Sequence, residues 1–337
     1  MPGVAPAVIA ARSTLMAQGA ASLASGNADV AANAFDRAVA MVHAPDAELG
    51  LVRSYLQAGH YRQALSYAAH TAGAHRDEPE GVALYAWLLF LGDQQAAAAR
   101  ILDEAQARAP ADAALAKVRR RMTGGAGRVF APVGVLPGPD ASALMKGSGV
   151  LLADGRRALA PSGAVAGART LWVRNGLGQA RRAVVESVFG REGLALLKLD
   201  GSLAPPHGYG GAVGKSFPGS LFYYAGYAMS DGADAQWPAM QHGFIGMPAN
   251  GGQAMSLGID PAKGSHGGPV FNADGALAGI GLRGPSGEQV LLPVGRIGQM
   301  LGEPIVTVSA PAGRPRMTIE HVYENAMRFS LQVLAAR

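Results

Sequence analysis

Residues 264–272 of the second half of the chain read Gly-Ser-His-Gly-Gly-Pro-Val-Phe-Asn. Its glycine-rich part predicts a tight turn, and the apolar residues that follow predict a strand. On both sides of this stretch, short β-rich runs separated by turn residues recur, at 150–152, 170–174, 183–188, 194–199, 276–282 and 290–293. Many short strands with few helices are typical of a pair of β-barrels or a β-sandwich.

Four phrases around this stretch carry a family resemblance through their order and intervals. They are 146–152 (KGSGVLL), 194–199 (LALLKL), 267–280 (GGPVFNADGALAGI) and 291–294 (LLPV). Together they resemble the trypsin-like serine proteases of the HtrA type, and the likeness covers residues 129–302. The resemblance implies two six-stranded antiparallel barrels with an active site between them.

The three side chains that such proteases need are missing from the matching positions. In the family a Ser hydroxyl attacks the carbonyl, a His accepts its proton and an Asp orients the His. The phrases place Gly163 at the His position, Gly193 at the Asp position and His266 at the Ser position. Because glycine has no side chain for proton transfer, we predict a non-catalytic protein, a pseudoprotease, in which no catalytic residue is intact.

A serine-type hydrolase with a rearranged active site is the alternative. In this interpretation Ser162 is a relocated nucleophile, His266 is its base, and Glu192 faces the cleft. Ser265 lies one residue from the nucleophile position, where the shift redirects its side chain. No other His, Asp or Glu stands at metal-ligand spacing from His266, so we expect no metal and no cofactor.

The resemblance also implies a binding cleft, which does not depend on catalysis. The turn from Gly264 through Ser265 to His266 forms a nest of backbone N–H groups. In active relatives the strand at 278–283 pairs with an extended peptide through main-chain groups, which survive the loss of catalysis. We therefore predict peptide contacts at Gly264, Ser265, His266 and Gly281.

An insertion at 205–250, rich in Gly, Pro and aromatic residues, is the competing occupant of that cleft. Its aromatic side chains form either an interaction patch or an irregular barrel core, and we favour the core. They are Phe217, Phe222, Tyr223, Tyr224, Tyr227, Trp237 and Phe244.

The first part of the chain repeats every 33 residues. Each unit has a glycine, a small residue five positions later and a proline after its second half. The glycines are Gly26, Gly59 and Gly92, the small residues are Ala31, Ala64 and Ala97, and the prolines are Pro45, Pro79 and Pro110. Such a period with helical patterning predicts three stacked helix pairs, capped by an amphipathic helix at 111–122.

These units resemble the tetratricopeptide repeat (TPR), whose arrays present a concave face to a peptide or a partner protein. The matching positions in first helices are Arg53 and Gln57 in the second unit, and Leu89 and Phe90 in the third. We predict that Arg53, Gln57 and Phe90 contact a protein or peptide partner. The alternative for Leu89 and Phe90 is packing against neighbouring helices.

The end of the chain combines a proline-containing linker with an amphipathic segment at 318–337. Apolar residues at helical spacing predict a helix there. The same segment also resembles the helix and strand that lead into an HtrA-type domain, and in that interpretation 331–336 form a barrel strand. The predicted α+β multidomain organisation is a TPR solenoid at 1–122, trypsin-like barrels at 129–302, and linker with C-terminal helix at 303–337.

Composition narrows the possible partners and compartments. The chain of 337 residues has no cysteine, which excludes disulfides and thiolate chemistry. Residues 1–122 carry 11 basic and 11 acidic side chains, so the net charge of +5 lies in the remainder. The basic clusters have no interleaved aromatics, so we expect no nucleic-acid partner.

Hydropathy and the family resemblance give expectations for where in the cell the protein is located. No apolar run approaches about 20 residues, so we expect no membrane span. Residues 1–12 have a short apolar patch with no basic region before it, so we do not expect this stretch to act as a signal peptide. The HtrA-type resemblance implies a periplasmic or secreted location, and a cytoplasmic one is the alternative. The oligomeric state stays open.

Overall fold

A computed structural model describes residues 5–123, 138–139, 142–203, 210–211, 217–229, 234–261, 264–284, 286–303, 305, 308–309 and 317–336. The chain divides into two compact units, Met1–Leu136 and Pro137–Arg337. The predicted linker prolines Pro304, Pro311 and Pro315 lie outside the described residues, as does much of the predicted insertion before residue 217. No helix within the described ranges is long and apolar enough to cross a membrane.

Seven helices form the described part of the N-terminal unit. They are α1 (Pro6–Ala24), α2 (Ala28–Met41), α3 (Pro45–Ala58), α4 (Tyr61–Ala74), α5 (Pro79–Leu91), α6 (Gln95–Arg108) and α7 (Ala113–Thr123). Consecutive helices pack on each other from α1 to α6, and α7 packs on α5 and α6. Pro45 and Pro79 occupy the first turns of α3 and α5, where the missing N–H costs no hydrogen bond. The predicted helix pairs and capping helix are therefore present.

The third repeat is shifted by one residue. Ala64 is fully buried five positions after its glycine, as predicted, but in the third unit Ala98 is fully buried and Ala97 only partly. The reason lies in the turn, where the positive φ of +67° belongs to Asp93 and not to Gly92. The extra turn residue delays α6, so the small residue that packs on the preceding helix comes one position later.

The second unit is built from fourteen described strands and three helices. The strands are β1 (Leu144–Leu151), β2 (Arg157–Pro161), β3 (Thr170–Asn175), β4 (Ala180–Phe189), β5 (Leu194–Leu199), β6 (Gly210–Gly211), β7 (Leu221–Gly226), β8 (Ala239–Ala249), β9 (Ala254–Leu257), β10 (Pro269–Asn272), β11 (Leu277–Arg283), β12 (Gln289–Pro293), β13 (Val308–Ser309) and β14 (Ser330–Ala336). The helices are α8 (Ser162–Val165), α9 (Val294–Leu301) and α10 (Ile319–Phe329), with a 3₁₀ turn at Asn250–Gly252.

These strands close into two six-stranded antiparallel barrels. The first has the order β1-β14-β3-β4-β5-β2. The second runs β10-β7-β8-β9-β12-β11 and closes through pairing of β10 with β11, and the short strands β6 and β13 extend it beyond β11. The predicted fold class, a helical N-terminal part followed by a double barrel and a C-terminal helix, is confirmed.

The C-terminal segment corrects the predicted helix at 318–337. Helix α10 ends at Phe329, and β14 follows at once and lies between β1 and β3 in the first barrel. Alternate side chains such as Leu331 and Val333 are fully buried in the barrel core, which suits a strand enclosed on both faces. The second interpretation therefore holds for the last residues, and the barrel unit extends past residue 302 to the end of the described chain.

The predicted insertion supplies two strands of the second barrel, β7 and β8. Its buried aromatic side chains are Phe222, Tyr224, Tyr227 and Trp237. Phe217 and Phe244 are instead 66% and 60% exposed. Tyr223 is partly buried and packs against the core. The core interpretation therefore holds for five of the seven aromatic residues and is wrong for Phe217 and Phe244.

Candidate functional site

The two glycines that the sequence phrases matched to the His and Asp positions lie side by side in the first barrel. Gly163 is in α8, directly after β2, and Gly193 lies in the turn before β5. Strands β2 and β5 are antiparallel neighbours, and the Ser162 N–H donates to the Gly193 carbonyl oxygen at 2.8 Å. A Cβ atom at either glycine would meet no described atom within 4 Å, so both positions border open space.

His266, the third position, lies in the loop that leads into β10 of the second barrel. Its carbonyl oxygen accepts a hydrogen bond from the Ser148 N–H of β1 at 3.2 Å. The next residue, Gly267, packs so closely on Ser148 and on Pro161, the last residue of β2, that a Cβ would collide with both. The loop thus touches the first barrel where α8 begins. The structure therefore brings all three positions to one junction between the barrels.

The turn at Gly264 retains the donors that the predicted nest requires. Gly264 has φ +80°, and Met229 occupies the space where a Cβ would lie. The hydroxyl of Tyr224 donates a short hydrogen bond to the Ser265 carbonyl oxygen, and burial raises the pKa of Tyr224 above its ordinary value. The N–H groups of Gly264 and His266 donate to no acceptor among the described residues. Backbone N–H groups of this kind are the donors that a nest offers to an electronegative atom.

A cleft of about 520 Å³ opens beside this turn. It is lined by Asp260, Pro261, Gly264, His266, Arg283, Gly287 and Gln289. Burial lowers the pKa of His266, and the positive charge of Arg283 lowers it further. The imidazole is therefore mostly neutral near pH 7, and it offers one donor and one acceptor nitrogen to the cleft.

No nucleophile and base are joined by a hydrogen bond in the described part of the junction. The ring of His266 makes no hydrogen bond to Ser162, and the Ser265 hydroxyl is buried without a described partner. Glu192 is held by Arg296, with 2.9 Å between Oε1 and Nη2. The side chains that a rearranged hydrolase needs are present, but they are not connected.

Among the described residues, the main-chain groups on one edge of β11 are bonded at Gly281 and have no partner at Arg283. The Gly281 N–H donates to the Gly268 carbonyl at 3.0 Å, and its carbonyl accepts from the Gly267 N–H at 2.7 Å. Alternate strand residues present their N–H and C=O groups to the same edge, so those of Arg283 face away from β12, where it lies opposite Gln289. No described residue bonds them. This placement argues against peptide pairing at Gly281 and for pairing at Arg283, which the sequence interpretation missed although the residue ends the predicted strand.

The residues predicted to contact a partner on the helical unit differ in accessibility. Gln57 is fully buried, and its amide donates to a main-chain carbonyl of α1 at 2.9 Å, which argues against the predicted partner contact. Arg53 is half-buried and forms an ion pair with a glutamate of α5. Phe90 is half-buried and stacks on Trp87, with ring centroids 5.6 Å apart, whereas Leu89 is buried. Arg53 and Phe90 alone of the predicted set keep solvent-accessible surface.

Two six-stranded antiparallel barrels with these positions at their junction define the trypsin-like fold class. Two solved structures are similar to about half of the chain. The crystal structure of the serine endoprotease from Yersinia pestis has 19% identity over 49% of this chain and 64% of that chain, with a TM-score of 0.41. The crystal structure of the MamO protease domain from Magnetospirillum magneticum, in its apo form, has 21% identity over 48% of this chain and 95% of that chain, with a TM-score of 0.38. No protein-family model and no curated protein matches the sequence.

Proposed function

We propose that this chain is a pseudoprotease of the trypsin-like fold that binds an extended peptide, or a segment of a partner protein, in the cleft beside His266. The observation that carries the proposal is the junction itself. The sequence phrases assign Gly163, Gly193 and His266 to the three positions where the family carries its catalytic side chains, and no described residue bonds the main-chain edge at Arg283 beside them.

Binding at this junction needs main-chain groups more than side chains. A peptide that lies along β11 adds a strand by pairing with the N–H and C=O of Arg283. The N–H groups of Gly264 and His266, which bond to no described acceptor, donate to one of its carbonyl oxygens. This arrangement uses the geometry of a protease cleft and leaves out the proton transfer.

The helical unit adds a second proposed contact surface around Arg53 and Phe90. A partner held by this surface and by the cleft at the same time binds more tightly than either site allows, because the second contact becomes intramolecular. We place this activity in the periplasm or outside the cell, on the HtrA-type resemblance alone.

Hydrolysis of denatured casein tests the non-catalytic part of the proposal. The purified chain and a His266→Ala variant are incubated with casein, and the products are read by mass spectrometry. We expect no cleavage above buffer in either sample. Cleavage that disappears in His266→Ala contradicts the proposal and makes His266 the base of a rearranged hydrolase.

Fluorescence anisotropy with labelled denatured casein tests the binding part. Arg283→Pro removes the N–H that faces the cleft, whereas Arg283→Ala removes the side chain and keeps that N–H. Loss of one or two main-chain hydrogen bonds weakens binding about tenfold or more, so we expect this loss in Arg283→Pro and a smaller change in Arg283→Ala. Equal affinities of the two variants contradict strand pairing, and no binding by the unmodified chain contradicts the peptide site.

A further inference from the structure

Three histidines and one glutamate converge in the N-terminal unit, away from the residues considered so far. His43 lies in the connection between α2 and α3, and Glu48 lies in the first turn of α3. His70 is near the end of α4, and His75 follows its last residue. These four residues, here called the His–Glu cluster, contain three of the eight histidines of the chain.

Glu48 is the unusual member of the cluster. Its side chain is 1% exposed, and no hydrogen bond reaches either carboxylate oxygen within the described residues. A buried carboxylate without hydrogen bonds is costly unless a positive charge or a metal ion offsets the loss of hydration. Its place in the first turn of α3 favours a negative charge but supplies no donor. The Nε2 atom of His75 is also buried without a hydrogen bond.

The distances in the cluster suit a single metal ion. The Oε1 atom of Glu48 lies 2.8 Å from Nε2 of His43 and 3.5 Å from Nε2 of His75. His70 brings its Nε2 to 3.8 Å from the same oxygen and to 3.2 Å from Nε2 of His43. Ligand atoms around a tetrahedral Zn²⁺ ion, with bonds of about 2.1 Å, lie roughly 3.4 Å from one another. The four separations bracket this value.

The chemistry of these ligands limits which metal ion can bind. Imidazole nitrogen with one carboxylate oxygen suits Zn²⁺ and neighbouring first-row divalent ions, whereas Ca²⁺ and Mg²⁺ prefer oxygen ligands alone. The chain has no cysteine to add a thiolate. The side chains of His43 and His70 are 54% and 57% exposed, so an ion has a path from solvent to the buried Glu48.

We propose that the His–Glu cluster is a Zn²⁺ site, with His43, Glu48 and His75 as ligands and His70 as the fourth. The ligand atoms of the first three lie within 4.8 Å of one another. The bound ion joins the connection before α3 to the end of α4, and so ties the first helix pair to the second. It also places a positive charge beside the buried carboxylate. The site is independent of the cleft beside His266.

Metal titration of the full chain tests the proposal. The protein is stripped with EDTA, desalted and titrated with ZnCl₂ by calorimetry, and Co²⁺ replaces Zn²⁺ to report coordination through its visible absorption. We expect one ion per chain, a tetrahedral Co²⁺ spectrum and a higher unfolding temperature with Zn²⁺. Absence of saturable binding overturns the proposal and leaves the cluster as a metal-free ion-pair network.

Variants decide whether these four residues bind the ion. Glu48→Gln keeps the shape of the buried side chain, and His43→Ala changes a half-exposed one, so at least the second is expected to fold. Each should weaken Zn²⁺ binding by more than about 100-fold, since changes outside the ligand set alone reach 10–100-fold. His60→Ala, in the same unit but outside the cluster, is the matched control and should bind as the unmodified chain does. Unchanged binding in folded His43→Ala and Glu48→Gln overturns the assignment.

Discussion

The backbone N–H of Ser162 donates to the carbonyl oxygen of Gly193 at 2.8 Å, and this bond holds the segments that carry Gly163 and Gly193 beside each other. Both atoms belong to the main chain, so the contact needs no side chain at either glycine. The contact between the two segments is thus kept by groups that have no part in proton transfer.

Alanine substitutions at the two glycines should have different effects on stability. Gly193 has φ +67°, whereas Gly163 is helical, and neither position has a neighbour that a Cβ would strike. A left-handed backbone costs a non-glycine residue about 1 kcal/mol, so Gly193→Ala should lower the free energy of unfolding by about that amount. Gly163→Ala should change it by less than about 0.5 kcal/mol. Urea unfolding of both variants measures the difference, and equal values contradict the backbone argument.

A second pair of glycines tests the packing of the helical unit. The ring of Phe35 occupies the space beside Gly50, where a Cβ would collide with it, whereas a Cβ at Gly73 meets nothing within 4 Å. Gly50→Ala should therefore destabilise the unit by about 1–3 kcal/mol through overpacking. Gly73→Ala, in α4, should stabilise it by up to about 1 kcal/mol through helix propensity. Circular dichroism during chemical unfolding gives both values, and a stabilising Gly50→Ala would show that the ring moves freely.

The C-terminal strand should carry much of the stability of the first barrel. Leu331 in β14 is fully buried, while Leu144 in β1 of the same barrel is 39% exposed. Leu331→Ala removes buried apolar volume and should cost about 2–5 kcal/mol. The control Leu144→Ala should cost about 1 kcal/mol or less. Thermal and urea unfolding measure the loss of stability in both variants. If Leu331→Ala costs less than Leu144→Ala, the barrel closes without β14.

The titration of His266 should respond to Arg283. Burial is the larger cause of the lowered pKa of His266, and the charge of Arg283 is the second. In Arg283→Gln the pKa should rise toward its ordinary value and stay below it, because the burial remains. NMR titration of the His266 ring measures the shift, with Arg296→Gln as a control on a cation that pairs with Glu192. A pKa that does not move contradicts the contact between the two charges.

The same shift makes stability depend on pH. Because the folded protein binds a proton at His266 less readily than the unfolded chain, the stability from neutral His266 is present above the ordinary histidine pKa. It is lost as pH falls through the lower folded-state value. A His266→Asn variant should show a smaller loss over that range in urea unfolding at stepped pH. An identical pH profile would show that His266 does not contribute.

Local signals in the sequence predicted the elements well. Pro45 and Pro79 mark the first turns of helices because proline tolerates only a position whose N–H needs no partner. The Gly-Gly-Pro turn and the alternating strands around it predicted the second barrel, since side-chain periodicity follows directly from strand geometry. Positions 163, 193 and 266 could be matched to triad positions for the same reason, because each lies inside a recognisable local phrase, and that match stays a prediction.

The limits of the sequence appear where a residue's surroundings come from distant parts of the chain. Gln57 was predicted to face a partner, yet its side chain is buried against α1. The strand edge at Gly281 is closed by Gly267 and Gly268, and the open edge lies at Arg283. Neither outcome changes the helix or strand assignment, so no local pattern distinguishes the alternatives.

The order of the helices and strands follows from local sequence, because it depends on neighbours within a few positions. The folded structure was needed to show that β14 completes the first barrel and that His43, Glu48 and His75 meet. These contacts join segments separated by many residues, and their cost in chain entropy is offset only when the whole core packs. The side chains that meet in that core are therefore a property of the folded chain and not of any one segment.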